Sequence, residues 1–347
     1  MKTVLPSFSL SPQIPPITPY PLQFSHHSLS SIPKNLNFLS PKPLFSRPIT
    51  ITKPLSSKSD KTHHSSPPSN TQEDGIPIDH VKTLVKFKSR YNYIRVLEVS
   101  RRADHPFRGS RLLLLDGPGN IHSISFLFRT LTDTYFDVFG TLPPIIPPGP
   151  IGVLGFGAGS AAKILLELYP QVVVHGWEID PAVIDVGREY FGLSKLEKQY
   201  PERLFIYNGD ALKASVRDRF SGILVDLFSE GSLIPELQDP LTWKRLKNSL
   251  RKGGRIMVNV GGSCVEAEDS RRDGKLIMKE SLKAMYEVFP NQLYVLNLGN
   301  KKDDSSLALT GGFPDLIAWK KEGITWNSSV LVSIFRGHGY VNTTLGK

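Results

Sequence analysis

The sequence predicts an α/β protein: a mainly parallel, doubly wound sheet preceded by a small antiparallel β domain. Three observations carry this. The glycine-rich stretch Val153-Leu154-Gly155-Phe156-Gly157-Ala158-Gly159-Ser160 closes an apolar run and opens a helical one. Further apolar runs follow, and polar groups end each of them, at Glu178-Ile179-Asp180, Asn208-Gly209-Asp210-Ala211 and Ile223-Leu224-Val225-Asp226. Upstream, residues 81–126 alternate with period two instead. Polar groups at the carboxyl ends of successive parallel strands line one crevice, where an open α/β sheet takes a nucleotide-like ligand. A lone glycine loop would be weak evidence; the ordered series is much stronger.

In chain order, residues 83–89, 93–99 and 111–115 read as strands, and Asp116-Gly117-Pro118-Gly119 is a turn closing the third. Leu127, Leu131, Tyr135 and Val138 share one helical face, which predicts a helix over 126–139. Pro143, Pro144, Pro147, Pro148 and Pro150 mark a linker over 143–150, so the small domain spans 76–142. Strand 151–154, helix 161–169 and strand 172–177 come next. Asp180-Pro181 reads as an N-cap with proline at the first helical position. Strands are predicted at 204–207, 222–227 and 255–260, helices at 243–250 and 275–289, and late strands at 293–298 and 306–310. Alternation of strand and helix implies parallel pairing. The second domain spans 151–325, which leaves 326–347 as a tail.

The net charge of +10 is concentrated at the N-terminus, where residues 1–70 carry seven basic residues against Asp60 alone. The basic balance is therefore no argument for a nucleic-acid partner. That segment is rich in Ser and Pro, basic and acid-poor, as an organelle transit peptide is. Pro12, Pro15, Pro16, Pro19 and Pro21 discourage an amphipathic helix, which favours a chloroplast address over a mitochondrial one. The plainer reading is a disordered tail retained on the mature protein. A single cysteine, Cys264, excludes an internal disulfide framework, and no cysteine cluster points to zinc. No run approaches the roughly 18 apolar residues of a spanning helix.

Gly155, Gly157 and Gly159 allow a tight turn and a close backbone approach to a ligand. Amides at the start of the following helix are expected to face a polar or anionic group. The plainer reading is a strand-to-helix turn with no ligand. A dinucleotide fingerprint would place its third Gly or Ala at 160, where Ser160 stands. The G-x-G-x-G pattern suits S-adenosylmethionine better. Glu178 lies about 20 residues past the loop and can hold ribose hydroxyls. Asp210 can accept from an adenine amino group, or cap the turn that follows it. Phe156, Ile179 and Ala211 flank these groups and complete the candidate cofactor-binding set.

The turn Leu114-Leu115-Asp116-Gly117, the loop from Gly155 to Gly159, Glu178-Ile179-Asp180-Pro181 and Gly209-Asp210 together resemble the spermidine synthase (aminopropyltransferase) group of S-adenosylmethionine-dependent transferases. The resemblance spans residues 80 to 320. It implies a Rossmann-like sheet of the class I methyltransferase type, with Glu178 on ribose, Asp210 on adenine and the glycine loop on the sulfonium-bearing chain. It also implies a homodimer through the β domain.

Departures from that pattern matter as much. Aminopropyltransferases carry a carboxylate inside the loop for the amine of decarboxylated S-adenosylmethionine; this chain has Ala158. The discrimination lost is worth roughly 1–4 kcal/mol at close range near a surface. Asp226-Leu227-Phe228-Ser229 keeps the first carboxylate of a D-x-x-D pair and loses the second. No Tyr-Gln-Glu motif is seen, and Ser125-Phe126-Leu127 occupies its approximate place. Asp226 is the candidate catalytic residue, because an attacking ammonium must lose a proton. It can equally cap a strand. His122, His175, Trp177, Trp243, Phe228 and Cys264 are read as structural.

Methyl transfer from intact S-adenosylmethionine to a small-molecule acceptor is the first reading, because of Ala158. Aminopropyl transfer from the decarboxylated form is the second, and a non-catalytic binding or scaffold protein the third. No metal is expected.

Overall fold

A computed structural model describes residues 76–116, 120–261, 273–298, 306–315, 317, 319 and 340–342. The expected transit segment, the turn glycines Gly117 and Gly119, Cys264 and most of the expected tail lie outside the described residues.

The chain opens with an antiparallel meander of β1 (Val81–Lys88), β2 (Tyr93–Val99), β3 (Ser110–Leu115) and β4 (Ile121–Phe126), paired in that order. Helix α1 is shorter than its pattern predicts, covering only Tyr135–Phe139. The reason is local. Asp137 accepts from the Thr132 amide (2.7 Å) and the Asp133 amide (2.8 Å), and the Thr134 side chain caps the Phe136 amide. Such side-chain bonds compete with helix, and Asp133 takes φ +57°, so the helix starts only at Tyr135.

The second sheet contains β5 (Ile151–Leu154), β6 (Val174–Glu178), β7 (Leu204–Asn208), β8 (Phe220–Val225) and β11 (Leu250–Gly261) in parallel. Between them come α2 (Ser160–Leu168), α3 (Pro181–Tyr190), α4 (Leu193–Gln199), a small hairpin of β9 (Phe228–Ser229) and β10 (Ser232–Leu233), and α5 (Pro240–Asn248). Helix α6 (Gly274–Val288) leads to β12 (Leu293–Asn297), β13 (Ser306–Thr310) and β14 (Tyr340–Asn342), which are antiparallel. Strand β14 falls in the expected tail; three residues are too few to show a period.

The order is β14-β12-β13-β11-β8-β5-β6-β7. The chain leaves β5 in one direction towards β6 and β7, and later returns to its other side with β8 and β11. The switch point therefore lies between β5 and β8, where the preceding section places the glycine loop and Asp226. Ile151, Val153 and Leu224 pack towards α2 and α4, whereas Leu154, Ile223 and Val225 pack towards α5 and α6. Both faces are thus covered, as parallel strands require.

The small sheet packs through Ile94, Val96 and Leu113 on Val183 and Val186 of α3. Burying one such aliphatic side chain contributes about 1.5–3 kcal/mol, against about 0.5–1.5 kcal/mol for a typical hydrogen bond. Apolar burial therefore holds the two layers together, and the polar contacts described next fix their register.

Candidate active site at the switch point

The glycines of the loop take φ values of +83° (Gly155), +56° (Gly157) and +91° (Gly159), a region L side chains rarely adopt. A Cβ at Gly155 would overlap the Asp226 carbonyl, and one at Gly157 would lie 2.6 Å from Ser123 Oγ. The loop is thus pressed between the end of β8 and strand β4.

Its amides are already bonded. Gly155 and Phe156 donate to the Trp177 carbonyl (3.1 and 2.9 Å), and Gly159 donates to Phe156 (3.1 Å). Gly157 donates to Glu178 Oε2 (2.9 Å) and Ala158 to Ser123 Oγ (2.9 Å). The loop's own amides are thus taken by β6, by the small domain and, for Gly159, within the loop. Ser160 reinforces this, its hydroxyl accepting from the Ile124 amide and donating to the Ile124 carbonyl. The Phe156 ring lies over Gly176 in the core and reaches back against Gly159 of the loop. Ala158 is buried and belongs to the same apolar cluster as Ile94, Val96, Val183 and Phe191.

Glu178 is buried at the end of β6. Its Oε1 accepts from the Asp180 amide (3.1 Å), and the Ile179 amide also favours the charged form; a carboxylate's two oxygens can accept more bonds than these. Burial pushes its pKa up, backbone hydrogen bonds oppose this, and nearby Asp180 adds to the rise. Ile179 is 47% exposed at the rim. Asn208 bridges the Glu178 and Ile179 carbonyls from β7. Asp180 caps α3 through the Ala182 amide (3.0 Å) and takes Ser89 Oγ (2.5 Å) and Asn92 Nδ2 (2.7 Å) from the β1–β2 turn. Asp210 is exposed and caps the short turn Ala211–Lys213 through the Leu212 amide (2.9 Å), with Ala211 buried beneath. The capping role is therefore present, and Asp210 also stands at the end of the strand row.

Asp226 follows β8 directly, and its backbone amide donates to the Leu154 carbonyl (2.8 Å). Tyr135 OH donates to its Oδ2 (2.7 Å) and Asn259 Nδ2 to its Oδ1 (3.0 Å). Burial raises its pKa to about 6, against the lowering effect of those two donors. The sequence missed both partners. Tyr135 reads as one apolar position on a long helix, and Ser125-Phe126-Leu127 stands in the approximate place of the Tyr-Gln-Glu motif. The latter triplet ends β4, where Phe126 packs under the Arg129 guanidinium. Asn259 left one signal, a lone amide within an apolar strand.

His175 stacks on Phe205 and Tyr207, and Trp243 bonds the Leu237 carbonyl from the core, as their structural readings expect. Among the described residues no helix is long and apolar enough to cross a membrane.

Loss of one donor should be readable in kinetics. Tyr135→Phe keeps the ring against Phe136 and Phe139 and removes the hydroxyl. A hydrogen bond to a charged group is worth about 1.5–3 kcal/mol of stability, so the melting temperature should fall by about 3–12 °C, and with a donor that lowers the Asp226 pKa gone turnover at neutral pH should fall as well. A variant with unchanged turnover would show that this bond has no catalytic weight.

The sheet order, the glycine loop and the row of strand-end carboxylates define a class I methyltransferase-like fold fronted by a small antiparallel sheet. No family model matches the chain. A 174-residue stretch, half of this chain, is 25% identical to the "Probable polyamine aminopropyl transferase" of Bifidobacterium longum (strain NCC 2705). That stretch spans 36% of the relative, so the chain matches only about a third of its length. The spermidine synthase of Thermotoga maritima superposes with a TM-score of 0.54 at 15% identity, over 73% of this chain and 84% of that one. A spermidine synthase in complex with the transition-state analogue AdoDATO gives 0.53 at 15% identity, over 73% and 83%. A probable spermidine synthase from Corynebacterium glutamicum ATCC 13032 gives 0.50 at 16% identity, over 73% and 94%. The fold is that of the spermidine synthases.

Proposed function

We propose that the protein is an aminopropyltransferase of spermidine synthase type, moving the aminopropyl group of decarboxylated S-adenosylmethionine to a small amine. The observation that carries this reading is the Asp226 carboxylate, held at the switch point by Tyr135 and Asn259. The similarity to a polyamine aminopropyl transferase supports it. Methyl transfer, placed first from the sequence alone, has no counterpart in that relative's name, and the second-placed reading fits better.

The chemistry asks for a base and for alignment. The amine nitrogen attacks the carbon beside the sulfonium; a C–N bond forms, the C–S bond breaks, and its electron pair stays on sulfur, leaving a neutral thioether. The amine arrives as an ammonium, and its proton passes to Asp226. A carboxyl raised to about 6 is a better acceptor than an ordinary one, because the gap to an amine is narrower. Positioning of the two substrates supplies the larger share of the rate. The free acceptor capacity of Glu178 fits a pair of ribose hydroxyls, and Ile179 offers an apolar edge beside it.

One observation favours the methyl-transfer reading: Ala158 puts no carboxylate in the loop to select the decarboxylated substrate. Parallel calorimetric titration with both sulfonium compounds, followed by product analysis with diamines, tests the choice. The aminopropyl reading expects tighter binding of the decarboxylated form and a polyamine product. A tenfold preference (about 1.4 kcal/mol) for intact S-adenosylmethionine, with no polyamine formed, would sink it. An address in the chloroplast stroma, proposed from the composition of residues 1–70, is testable by a fluorescent fusion of that segment.

A further inference from the structure

Asn259 stands where a buried strand ordinarily carries an apolar residue. Its neighbours Ile256, Met257, Val258 and Val260 are all buried and apolar, and Asn259 itself is 6% exposed. Asparagine is depleted in strands, and a buried amide is costly unless bonded at both ends. Here both ends are bonded: Oδ1 accepts from the Gly261 amide (3.0 Å), and Nδ2 donates to Asp226 Oδ1 (3.0 Å). The backbone bond fixes which end of the amide faces the carboxylate, because a backbone N–H requires an acceptor.

The strand is also irregular at this point. The β11–β13 register shifts between Asn259 and Gly261, and Gly261 takes φ +72°. A bulge of this kind re-aims a side chain, and bulges concentrate beside active sites. On the opposite side Tyr135 of α1 holds Oδ2, so the carboxylate is gripped by one donor from each domain. Of these two neighbours only Tyr135 is titratable; Phe228, on the strand after it, is apolar. A donor to the charged form favours that form.

We propose that Asn259 is a positioning residue for Asp226: the bulged strand aims its amide at one carboxylate oxygen, which stops the carboxylate from rotating and keeps it ionised for proton transfer. The inference rests on the reading of Asp226 as the base. Asn259→Leu keeps the volume and removes the donor; Asn259→Ala removes it with less steric demand, in case the leucine variant does not fold.

The test is a carbon-13 titration of the Asp226 carboxyl in the ligand-free full chain, assigned with Asp226→Asn, alongside the pH profile of kcat/KM. In a folded Asn259 variant the carboxyl midpoint should rise by about one pH unit. The acidic limb of kcat/KM should move with it, and turnover at neutral pH should fall at least about twofold, as the ionised fraction drops from about nine-tenths to about half, with KM for the sulfonium substrate within about twofold. A midpoint unmoved in a folded variant overturns the proposal, whatever the activity. A midpoint that moves in a protein without aminopropyl transfer upholds the positioning role and instead defeats the reading of function.

Discussion

Asp226→Asn should abolish most turnover while leaving substrate affinity nearly intact. The amide is isosteric: its oxygen can still accept from Asn259 while its NH2 donates to the Tyr135 hydroxyl, but it cannot accept a proton from an ammonium. General-base assistance is worth about 10²–10⁴-fold, and the variant should lose kcat on that scale with KM changed little. The pH profile separates this from a folding defect. With a carboxyl raised to about 6, the active form is the deprotonated one. The wild-type kcat/KM should therefore hold above that value and fall about tenfold per pH unit below it. The residual activity of Asp226→Asn should show no such acidic limb. A variant with wild-type turnover, or one that retains the limb, would move the base elsewhere.

Much of the architecture was legible because the glycine loop and the strand-end carboxylates are local signals. Asp180-Pro181 announced the start of α3, and its cap is found as expected. The same signal was passed over at Asp239-Pro240, where Asp239 caps the Leu241 amide and opens α5 three residues ahead of the predicted 243. The site was only half legible. Glu178, Asp210 and Asp226 follow from being polar at the ends of apolar runs. The small-domain groups beside them do not: Ser89 and Asn92 bond Asp180, Ser123 bonds the Ala158 amide and Tyr135 bonds Asp226, and only tertiary packing brings these in. Tyr135 lies 91 residues from Asp226 in sequence. Its five-residue helix was hidden by the side-chain bonds of Asp137, which end the apparent helical period.

That pattern has a functional consequence. The small domain touches the crevice through separate strand-end positions: the β1–β2 turn on Asp180, β4 on Ala158, and α1 on Asp226. Each joins a polar group of the small domain to the carboxyl end of β6, β5 or β8. Asp226, the glycine loop and the edge at Glu178 and Asp180 are therefore registered against one another by the small domain, the last two through its sheet and the first through α1. Under the proposed function, a displacement of that domain would disturb proton transfer and cofactor binding together.

Gly155→Ala should cost the fold far more than a methyl group normally does. The residue combines φ +83° with a Cβ position that overlaps the Asp226 carbonyl oxygen and lies 2.8 Å from its carbon. The backbone strain of an L residue in the left-handed region is about 1–2 kcal/mol, and forcing a close-packed neighbour aside adds about 1–3 kcal/mol. The expected loss, about 2–5 kcal/mol, corresponds to roughly 5–15 °C in melting temperature for a domain of this size. Relief of the overlap must come from the end of β8, which carries Asp226, so activity in the surviving folded protein should fall as well. Gly209→Ala is the control: a Cβ there meets nothing within 4 Å, and the change should stay within about 0.5 kcal/mol. Scanning calorimetry of both variants decides it. Equal melting temperatures would show that the loop does not rest on β8, and the account of how Asp226 is placed would fail with it.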